Sequence, residues 1–325
     1  MTVTEELILP LFAGMGLDKH LLDPEVSELM VNNGLAFIDK QGAVVELPGI
    51  HIEARKLQAV IEIVAQGIGD HIDDYQKPWL DARLPDGSRV AAAYPPISPQ
   101  GITLTIRKFL RHFTTEELVE RGALCEDSLR VLLDAIDRRR NVVFAGGTST
   151  GKTTQLNAFV RHIDGDERIV TIEKPVEMKL TQRNVVRLEA VPAVGDRPEV
   201  TMSQLLSMTL RHRPDRIIVG EVKDSEAAFG LLQAMNTGHD GTVSTIHANT
   251  AASALTRLAS LAMPGFGSLD LSRQEVAAAI DLVVETKRLR GWRGVSSILE
   301  VRGYDERNRV FETAELYRRV HAEAA

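Results

Sequence analysis

The stretch GGTSTGKTT, residues 146–154, is the part of the sequence that most directly indicates chemistry. Gly146, Gly151, Lys152 and Thr153 match the pattern G-x-x-x-x-G-K-[ST] in full. Glycines let such a loop turn its backbone N–H groups inward around phosphate oxygens. Lys152 would reach the β- and γ-phosphates, and the Thr153 hydroxyl would bind Mg²⁺. We therefore expect ATP and Mg²⁺ as cofactors, with these nucleotide-binding residues: Gly146, Gly147, Thr148, Ser149, Thr150, Gly151, Lys152, Thr153 and Thr154.

The elements around this loop agree with a phosphate-binding role. An apolar strand at 142–145 enters the loop, and a helix that carries Leu156 and Phe159 leaves it. Three more apolar segments, RIVTIE, RIIVGE and TVSTIHA, follow with helical stretches between several of them. Short apolar strands separated by helices are typical of a parallel sheet that is covered on both faces. An α/β domain is thus expected from Glu126 onward.

Polar side chains stand at the ends of these apolar segments. Glu173 ends RIVTIE, Glu221 ends RIIVGE, and His247 nearly ends TVSTIHA. The carboxyl ends of parallel strands form the ligand crevice of an open sheet, so these groups should meet Lys152 at one edge. Glu221 has the placement of a Walker B acid, which would hold the Mg²⁺ shell or polarise the attacking water.

Two histidines, His239 and His247, lie in TGHDGTVSTIHAN. A metal site is one reading, but no cysteine or nearby third ligand supports it. A hydrogen bond from His247 to the γ-phosphate fits a strand end better. For His239 a structural role in the glycine-rich turn stays open beside a functional one.

The first 108 residues indicate a smaller α+β domain. Two short strands, 26–31 and 35–38, flank a turn signal at Asn33 and Gly34, and the stretch ARKLQAVIEIVAQGIG has helical spacing. Its arginines Arg89 and Arg107 could neutralise charge in phosphoryl transfer if this domain closes on the nucleotide, the alternative being solvated surface charges. Residues 109–125 are charged and lack a clean period, so we expect a linker before the domain at 126–325.

Composition limits the function classes. The chain has 325 residues, 44% hydrophobic and 26% charged, with a formal net charge of −7 and one cysteine. The acidic balance argues against stable binding of nucleic acid, and a single cysteine allows no internal disulfide. Acids stand near the amino terminus where a signal peptide would carry basic residues, and no apolar run is long enough to span a bilayer. A cytoplasmic protein with at most peripheral membrane contact is expected.

Taken in order, DARLPDGSRV, TIEKPVE, LRHRPDRIIVGEV and LLQAMNTGHDGTVSTIHAN resemble the conserved boxes of the type II/type IV secretion ATPases. The resemblance runs from about residue 23 to 302. Within that family the chain is similar to the TrbB-like conjugal-transfer and CpaF/TadA-like pilus ATPases.

The resemblance implies a ring of six identical subunits, each pairing an amino-terminal domain with a RecA-like P-loop NTPase domain. It implies inner-membrane secretion or pilus platform proteins as partners, and a position at the cytoplasmic face of that membrane. It assigns Glu173 and Glu177 as the acids of the Asp box. Arg107 corresponds to the first-domain arginine that approaches the phosphates, and Arg89 is a weaker match. His239 and His247 are the histidines of the His box, and Thr153 and Glu221 are the Mg²⁺ residues.

The sequence departs from the family pattern in three places. Ser149 replaces a glycine of the loop, and Lys174 stands where the Asp box usually has Asp. Lys223 stands where the family commonly has an Arg after the Glu-Val pair of the Walker B region. If position 149 requires a positive φ, serine would strain the loop by about 1 kcal/mol. Because Lys152, Thr153 and Glu221 are retained, we expect ATP hydrolysis.

Two other classes stay open at this point. A RecA-like ATPase acting on nucleic acid would need a basic channel and salt-dependent DNA affinity. A non-catalytic ATP-binding scaffold would follow if Ser149 and Lys174 disable the site.

Overall fold

The computed structural model describes residues 9–40, 42–84, 87–108, 113–191, 193, 198–289 and 291–319. The chain divides into two compact units, Met1–Arg111 and His112–Ala325, called here the amino-terminal and carboxy-terminal units. The division falls inside the segment 109–125 that the sequence indicates as a linker. Residues 1–8, on which the expectation about a signal peptide rests, and residues 109–112 lie outside the described residues.

The amino-terminal unit is built on a six-stranded antiparallel sheet. The strand order is β3-β2-β1-β6-β5-β4. The strands are β1 Val26–Asn32, β2 Leu35–Lys40, β3 Ala43–His51, β4 Trp79–Arg83, β5 Arg89–Ala93 and β6 Thr103–Arg107. The helices are α1 Leu9–Ala13, α2 Asp18–Leu22 and α3 Ala54–Gly67. This arrangement confirms the expected α+β class.

Two sequence patterns produce this unit. Asn33 and Gly34 adopt φ values of 49° and 84°, so the two-residue turn that joins β1 to β2 forms where Asn-Gly indicated it. Helix α3 buries Leu57, Ile61 and Val64, members of its helical stripe, in one cluster with apolar strand residues. The helix therefore covers the sheet through the face that the period of 3.6 residues predicted.

The carboxy-terminal unit contains an eight-stranded sheet with the order β14-β13-β12-β7-β11-β10-β8-β9. The strands are β7 Val142–Gly146, β8 Ile169–Glu173, β9 Val185–Glu189, β10 Arg216–Val222, β11 Val243–His247, β12 Leu282–Leu289, β13 Trp292–Asp305 and β14 Val310–Arg318. The helices are α4 Thr115–Glu120, α5 Glu126–Asp137, α6 Lys152–Val160, α7 Met202–Thr209, α8 Ser225–Asn236, α9 Ala251–Phe266 and α10 Leu269–Ala279. Strands β7 to β12 pair in parallel, while β13 and β14 are antiparallel.

Alternate residues of the central strands enter two cores on opposite faces of this sheet. In β7, Val142 and Phe144 belong to one hydrophobic cluster, and Val143 and Ala145 belong to the other. All four side chains are buried. A strand with helices on both faces must be apolar at every position, which explains why the sequence shows continuous apolar runs here.

The segment indicated as a linker, 109–125, contains helix α4. Thr114 and Glu117 form a capping box, in which each side chain accepts a hydrogen bond from the other residue's backbone N–H. Leu118 and Leu124 are buried in a core of the carboxy-terminal unit. The T-x-x-E signal marks this helix in the sequence, but the helix has six residues and buries one leucine, Leu118, which is too little to show a period.

Strand β9 at one edge of the sheet and strands β12–β14 at the other were not expected from the sequence. Their apolar runs, such as LVVE in β12, resemble those of the predicted strands, but no recognised box marks them. None of the described helices is both long and apolar enough to cross a membrane.

Candidate active site

The amino-terminal end of helix α6 is left open for an anion. Among the described helices of the carboxy-terminal unit, the others begin with a side chain that accepts a hydrogen bond from a first-turn N–H group. The residue before helix α6 is Gly151, which has no side chain to provide such a cap. Its first N–H groups and the positive end of its dipole are therefore available for phosphate oxygens.

The loop before α6 takes a conformation that suits glycine. Gly151 has a φ of 95°, and Ser149 has a φ of 57°. The left-handed region costs a residue with a Cβ atom about 1 kcal/mol. Ser149 therefore has the positive φ at which a serine strains the loop. At Gly146 a Cβ atom would come within 2.4 Å of Thr286 Oγ1 and 2.6 Å of Thr286 O, so no side chain fits there.

Lys152 is bent back onto its own loop. Its Nζ donates a hydrogen bond to Gly147 O at 2.7 Å, and the residue is 7% exposed. Burial lowers the pKa of the ammonium from its usual value, while the charge of Glu221 opposes that change. A phosphate oxygen would offer this ammonium a stronger, charged acceptor than the carbonyl.

Strand topology brings His247 and Glu221 beside the phosphate loop. His247 pairs with Gly146 in the parallel register of β11 and β7, and β10, which carries Glu221, is the next strand. His247 Nε2 lies 2.8 Å from Glu221 Oε1, and Lys223 Nζ lies 2.8 Å from Glu221 Oε2. Burial, followed by the charge of Lys152, lowers the pKa of His247, with Glu221 acting in the opposite direction.

One oxygen of Glu221 is buried without a proper donor. Although His247 Nε2 is near Oε1, the contact does not have hydrogen-bond geometry, and no described residue hydrogen-bonds this atom. An unsatisfied buried carboxylate oxygen costs free energy unless a ligand or water satisfies it. This oxygen is suited to a magnesium ion or to its bound water.

Glu173 lies at the end of β8 and is almost wholly buried, with 2% exposed. Burial raises the pKa of its carboxyl group to about 7, although hydrogen bonds from the backbone N–H groups of Glu177 and Met178, at 2.8 and 2.9 Å, act in the other direction. The carboxyl group is thus poised to change protonation near neutral pH. Glu177 contributes its backbone to this arrangement.

The unusual Lys174 is directed to a separate ion pair. Its Nζ lies 3.2 Å from Glu199 Oε1, and both side chains are about half exposed. The buried acid at this bend is Glu173, so the lysine does not replace it.

His239 is not brought to this edge of the sheet. It precedes β11 at the amino end of that strand, whereas His247 is at the carboxyl end beside Gly146. Four strand steps at about 3.3 Å each separate the two ends by about 13 Å. His239 Nδ1 lies 3.2 Å from Ala234 O in the last turn of α8, and the His239 carbonyl accepts a hydrogen bond from Thr242 Oγ1 at 2.7 Å.

The amino-terminal unit carries its own cluster of positive charge. Arg89 pairs with Arg107 across β5 and β6 and with Arg83 across β5 and β4, so the three side chains share one face of the sheet. Arg107 Nε lies 3.3 Å from Glu28 Oε1. Arg83, which precedes Arg89 on the neighbouring strand, was not among the residues expected from the sequence.

Thr286 is a further residue that sequence reasoning missed. Thr286 lies on β12, where it pairs with Gly146 of β7. Its hydroxyl lies 2.8 Å from Thr150 Oγ1. A threonine inside an apolar run, LVVET, gives no recognisable signal for a contact with a loop so distant in sequence.

Comparisons with known proteins identify a family for this chain. Residues 52–298 match the family model for "Type II/IV secretion system protein". The chain belongs to this family. A match of that length confirms the resemblance that the sequence boxes indicated, and with it a P-loop ATPase of the secretion class.

Relatives in the family include proteins of conjugation and of type IV secretion. The conjugal transfer protein TrbB of Rhizobium radiobacter is 37% identical over 297 residues, which cover 90% of this chain and 88% of that protein. The type IV secretion system protein VirB11 of Bartonella quintana is 30% identical over 286 residues, covering 76% of this chain and 79% of that protein.

Two solved structures have a similar fold. The pilus retraction motor PilT with bound ADP has a TM-score of 0.61 at 20% identity, covering 84% of this chain and 77% of that one. The DotB ATPase of Yersinia pseudotuberculosis has a TM-score of 0.63 at 16% identity, covering 94% and 77%. These likenesses confirm the predicted fold class, an amino-terminal domain followed by a RecA-like domain.

Proposed function

We propose that the chain hydrolyses ATP as one subunit of a homohexameric motor that drives a conjugal-transfer type IV secretion system. The observation that carries the hydrolytic part is the meeting of the uncapped phosphate loop with Glu221 and His247 at one edge of the sheet. The likeness to TrbB proteins, which extends over most of both chains, supports conjugation over the assembly of a Tad-type pilus.

Each residue at this edge has a proposed task. Backbone N–H groups of 146–154 hold the phosphates, and Lys152 leaves Gly147 O for the β- and γ-phosphates. Glu221 orients the attacking water, and His247 donates a hydrogen bond to the γ-phosphate. Glu173 and Glu177 form the second acidic position, where Glu173 can exchange a proton near neutral pH.

The donor set fits Mg²⁺. A hydroxyl at Thr153 and a carboxylate oxygen of Glu221 without a hydrogen-bond partner among the described residues are the kind of oxygen ligands this ion takes, with water completing its shell. Bound there, Mg²⁺ would neutralise charge on the β- and γ-phosphates. The chain's own part is to supply these two oxygens in a partly buried position.

Arginines of the amino-terminal unit complete the proposal. We assign Arg107 and Arg89, with the neighbouring Arg83, to contacts with the phosphates when the two units close on ATP. Successive subunits of the ring would close on ATP and reopen after hydrolysis. These motions would transmit the energy of hydrolysis to inner-membrane platform proteins. The protein would then work in the cytoplasm, peripheral to the inner membrane. We propose no functional contact with the phosphates for His239, whose contacts are those of a helix cap.

The hydrolytic site is tested by steady-state ATPase assays with Mg²⁺. We expect Lys152→Ala and Glu221→Gln each to lower the rate by about 10²-fold or more, since each removes charge aimed at the transition state. Glu226→Gln, the same substitution on an exposed residue of α8, is the matched control and should keep the wild-type rate. Wild-type rates in the first two variants would refute the site, and ATP binding without turnover in the wild type would favour a scaffold.

The apparatus is tested separately in the source organism. Replacement of the gene by the Glu221→Gln allele should abolish conjugal DNA transfer in a mating assay while leaving surface pili of the Tad type unchanged. The reverse outcome would assign the motor to pilus assembly. Salt-dependent binding of single-stranded DNA by the purified protein would instead favour an ATPase that acts on nucleic acid.

A further inference from the structure

Strand β12 contacts the phosphate loop. It pairs with β7 on the side opposite β11. Thr286 of β12 is 1% exposed, and its hydroxyl lies 2.8 Å from Thr150 Oγ1 and 3.1 Å from Ala145 O. Thr150 Oγ1 in turn lies 3.0 Å from Gly147 O, inside the loop. One buried hydroxyl on a neighbouring strand thus contacts both the entry of the loop and its middle.

Either hydroxyl can be the donor in the contact between Thr150 and Thr286. Each hydroxyl has one hydrogen, so only two of the three contacts can be donated at one time. When Thr150 donates to Gly147 O, its oxygen is free to accept the hydrogen of Thr286. That arrangement links the carbonyl of Gly147 to β12 through two consecutive hydrogen bonds.

The loop needs such support because its backbone does not favour this shape. Ser149 and Gly151 stand on either side of Thr150 with φ values of 57° and 95°, both in the left-handed region. Only glycine adopts that region readily, so the isolated loop would spend time in other conformations. Thr150 and Thr286 are both buried, and a hydrogen bond between them stabilises the loop in this conformation.

Gly146 shows how closely β12 approaches. A Cβ atom at Gly146 would be 2.4 Å from Thr286 Oγ1 and 2.5 Å from Thr150 Oγ1. The absence of a side chain at Gly146 is what allows the two hydroxyl groups to meet.

We propose that Thr286 is a positioning residue for nucleotide binding: its hydroxyl keeps Thr150, and with it the loop at 146–151, in the conformation that receives phosphates. The inference rests on the proposed use of this loop as the nucleotide site. Thr286 itself does not touch the phosphates. It acts by raising the fraction of molecules whose loop is already formed, and the apparent dissociation constant varies inversely with that fraction.

The test compares Thr286→Val, which removes only the hydroxyl, with Thr286→Ser, which retains it. The probe is ADP with Mg²⁺, titrated calorimetrically. We expect Thr286→Val to raise the dissociation constant about threefold to tenfold, the effect of one hydrogen bond, and Thr286→Ser to stay within about twofold of wild type. The KM for ATP should rise with the dissociation constant while kcat changes less, because the loop, once filled, has the same contacts.

The control is Thr209→Val, which removes another fully buried hydroxyl, bonded to Leu205 O within α7. It should leave ADP affinity unchanged. Thr286→Ala is a second variant without the hydroxyl and should weaken ADP at least as much as Thr286→Val. Normal ADP affinity in either folded variant, or equal weakening in Thr286→Ser, overturns the inference.

A double-mutant cycle separates positioning from general destabilisation. Thr150→Val combined with Thr286→Val should weaken ADP by no more than the worse single variant, since both remove the same link. Effects that multiply would contradict the inference. Failure of the wild type to bind ADP would refute the proposed function, whereas normal binding by wild type and variants alike would refute the role of Thr286 alone.

Discussion

His247 Nε2 lies 2.8 Å from Glu221 Oε1, across the neighbouring parallel strands β11 and β10, without forming a hydrogen bond to it. The imidazole thus lies next to the acid without giving a hydrogen bond to this oxygen. The pKa of His247 is lowered by burial and by the charge of Lys152, so the ring is mainly neutral at pH 7. A neutral ring can donate one hydrogen bond to an arriving phosphate oxygen.

Replacement of His247 should therefore act on the chemical step. We expect His247→Ala to lower kcat by about 10²-fold with a smaller change in KM, because the lost hydrogen bond strengthens as charge develops on the transferred phosphate. His239→Asn, at the other end of β11, should change kcat much less. Equal losses of kcat in both variants, measured under the same conditions, would contradict the separation of the two histidines.

The pKa of Glu173 predicts a pH dependence of stability. The folded-state pKa is raised to about 7 from its usual value of 4.5, so the folded protein binds this proton more tightly than the unfolded chain does. Stability from this group is complete below pH 4.5 and is lost as the pH rises to about 7. The loss is on the order of 3 kcal/mol at most.

Urea unfolding of the wild type and Glu173→Gln at pH 5 and pH 8 checks this expectation. The decrease in unfolding free energy between the two pH values should be smaller in the variant, because its amide does not titrate. Glu226→Gln should keep the wild-type decrease. Identical decreases in Glu173→Gln and the wild type would show that this carboxyl group does not titrate in the folded protein with a raised pKa.

Substitution by alanine should have opposite effects at Gly146 and Gly147. Gly146→Ala should abolish ADP binding and reduce stability, because the new methyl group would lie 2.4 Å from Thr286 Oγ1 and 2.6 Å from its backbone oxygen. Gly147→Ala has an ordinary contact of 3.7 Å to Thr150 Cγ2 and should fold normally. Thermal melts, with and without ADP, compare the two, and a stable Gly146→Ala that binds ADP would be incompatible with this packing.

Ser149 offers a test of backbone strain. At a φ of 57°, Ser149→Gly should be more stable than Ser149→Val by about 1–2 kcal/mol, because a β-branched residue is the least suited to the left-handed region. Chemical denaturation of both variants measures the difference directly. A valine variant as stable as the glycine variant would mean that the loop leaves this conformation without cost.

The sequence predicted those parts of the molecule that follow local rules. The Asn33-Gly34 turn, the stripe of α3 and the apolar strand before Gly146 each depend on neighbours in the chain, and each formed where expected. Thr286 could not be found in this way, because its contact with Thr150 joins residues that are 136 positions apart.

Two other outcomes depended on context that residue types alone do not contain. Helix α4 had its cap in the sequence, but its burial came from the strands and helices of the carboxy-terminal unit. Glu173 and Lys174 are adjacent charged residues, yet one is buried and the other forms an exposed pair with Glu199. Which of two neighbours faces inward depends on the exact end of the strand, and strand ends are the least predictable feature of a sequence.

The alternation of β7 between two cores also determines what can move. Phe144 fills one side of the sheet, where its ring meets that of Phe159 at 5.6 Å, and the small Ala145 faces the other side. A shift of β7 by one residue would exchange these two side chains and force a phenyl ring into a space the size of a methyl group. The strand is thereby locked against sliding, which fixes the point at which the phosphate loop is attached to the sheet. Motion that converts hydrolysis into work must take place in elements that move past this fixed point.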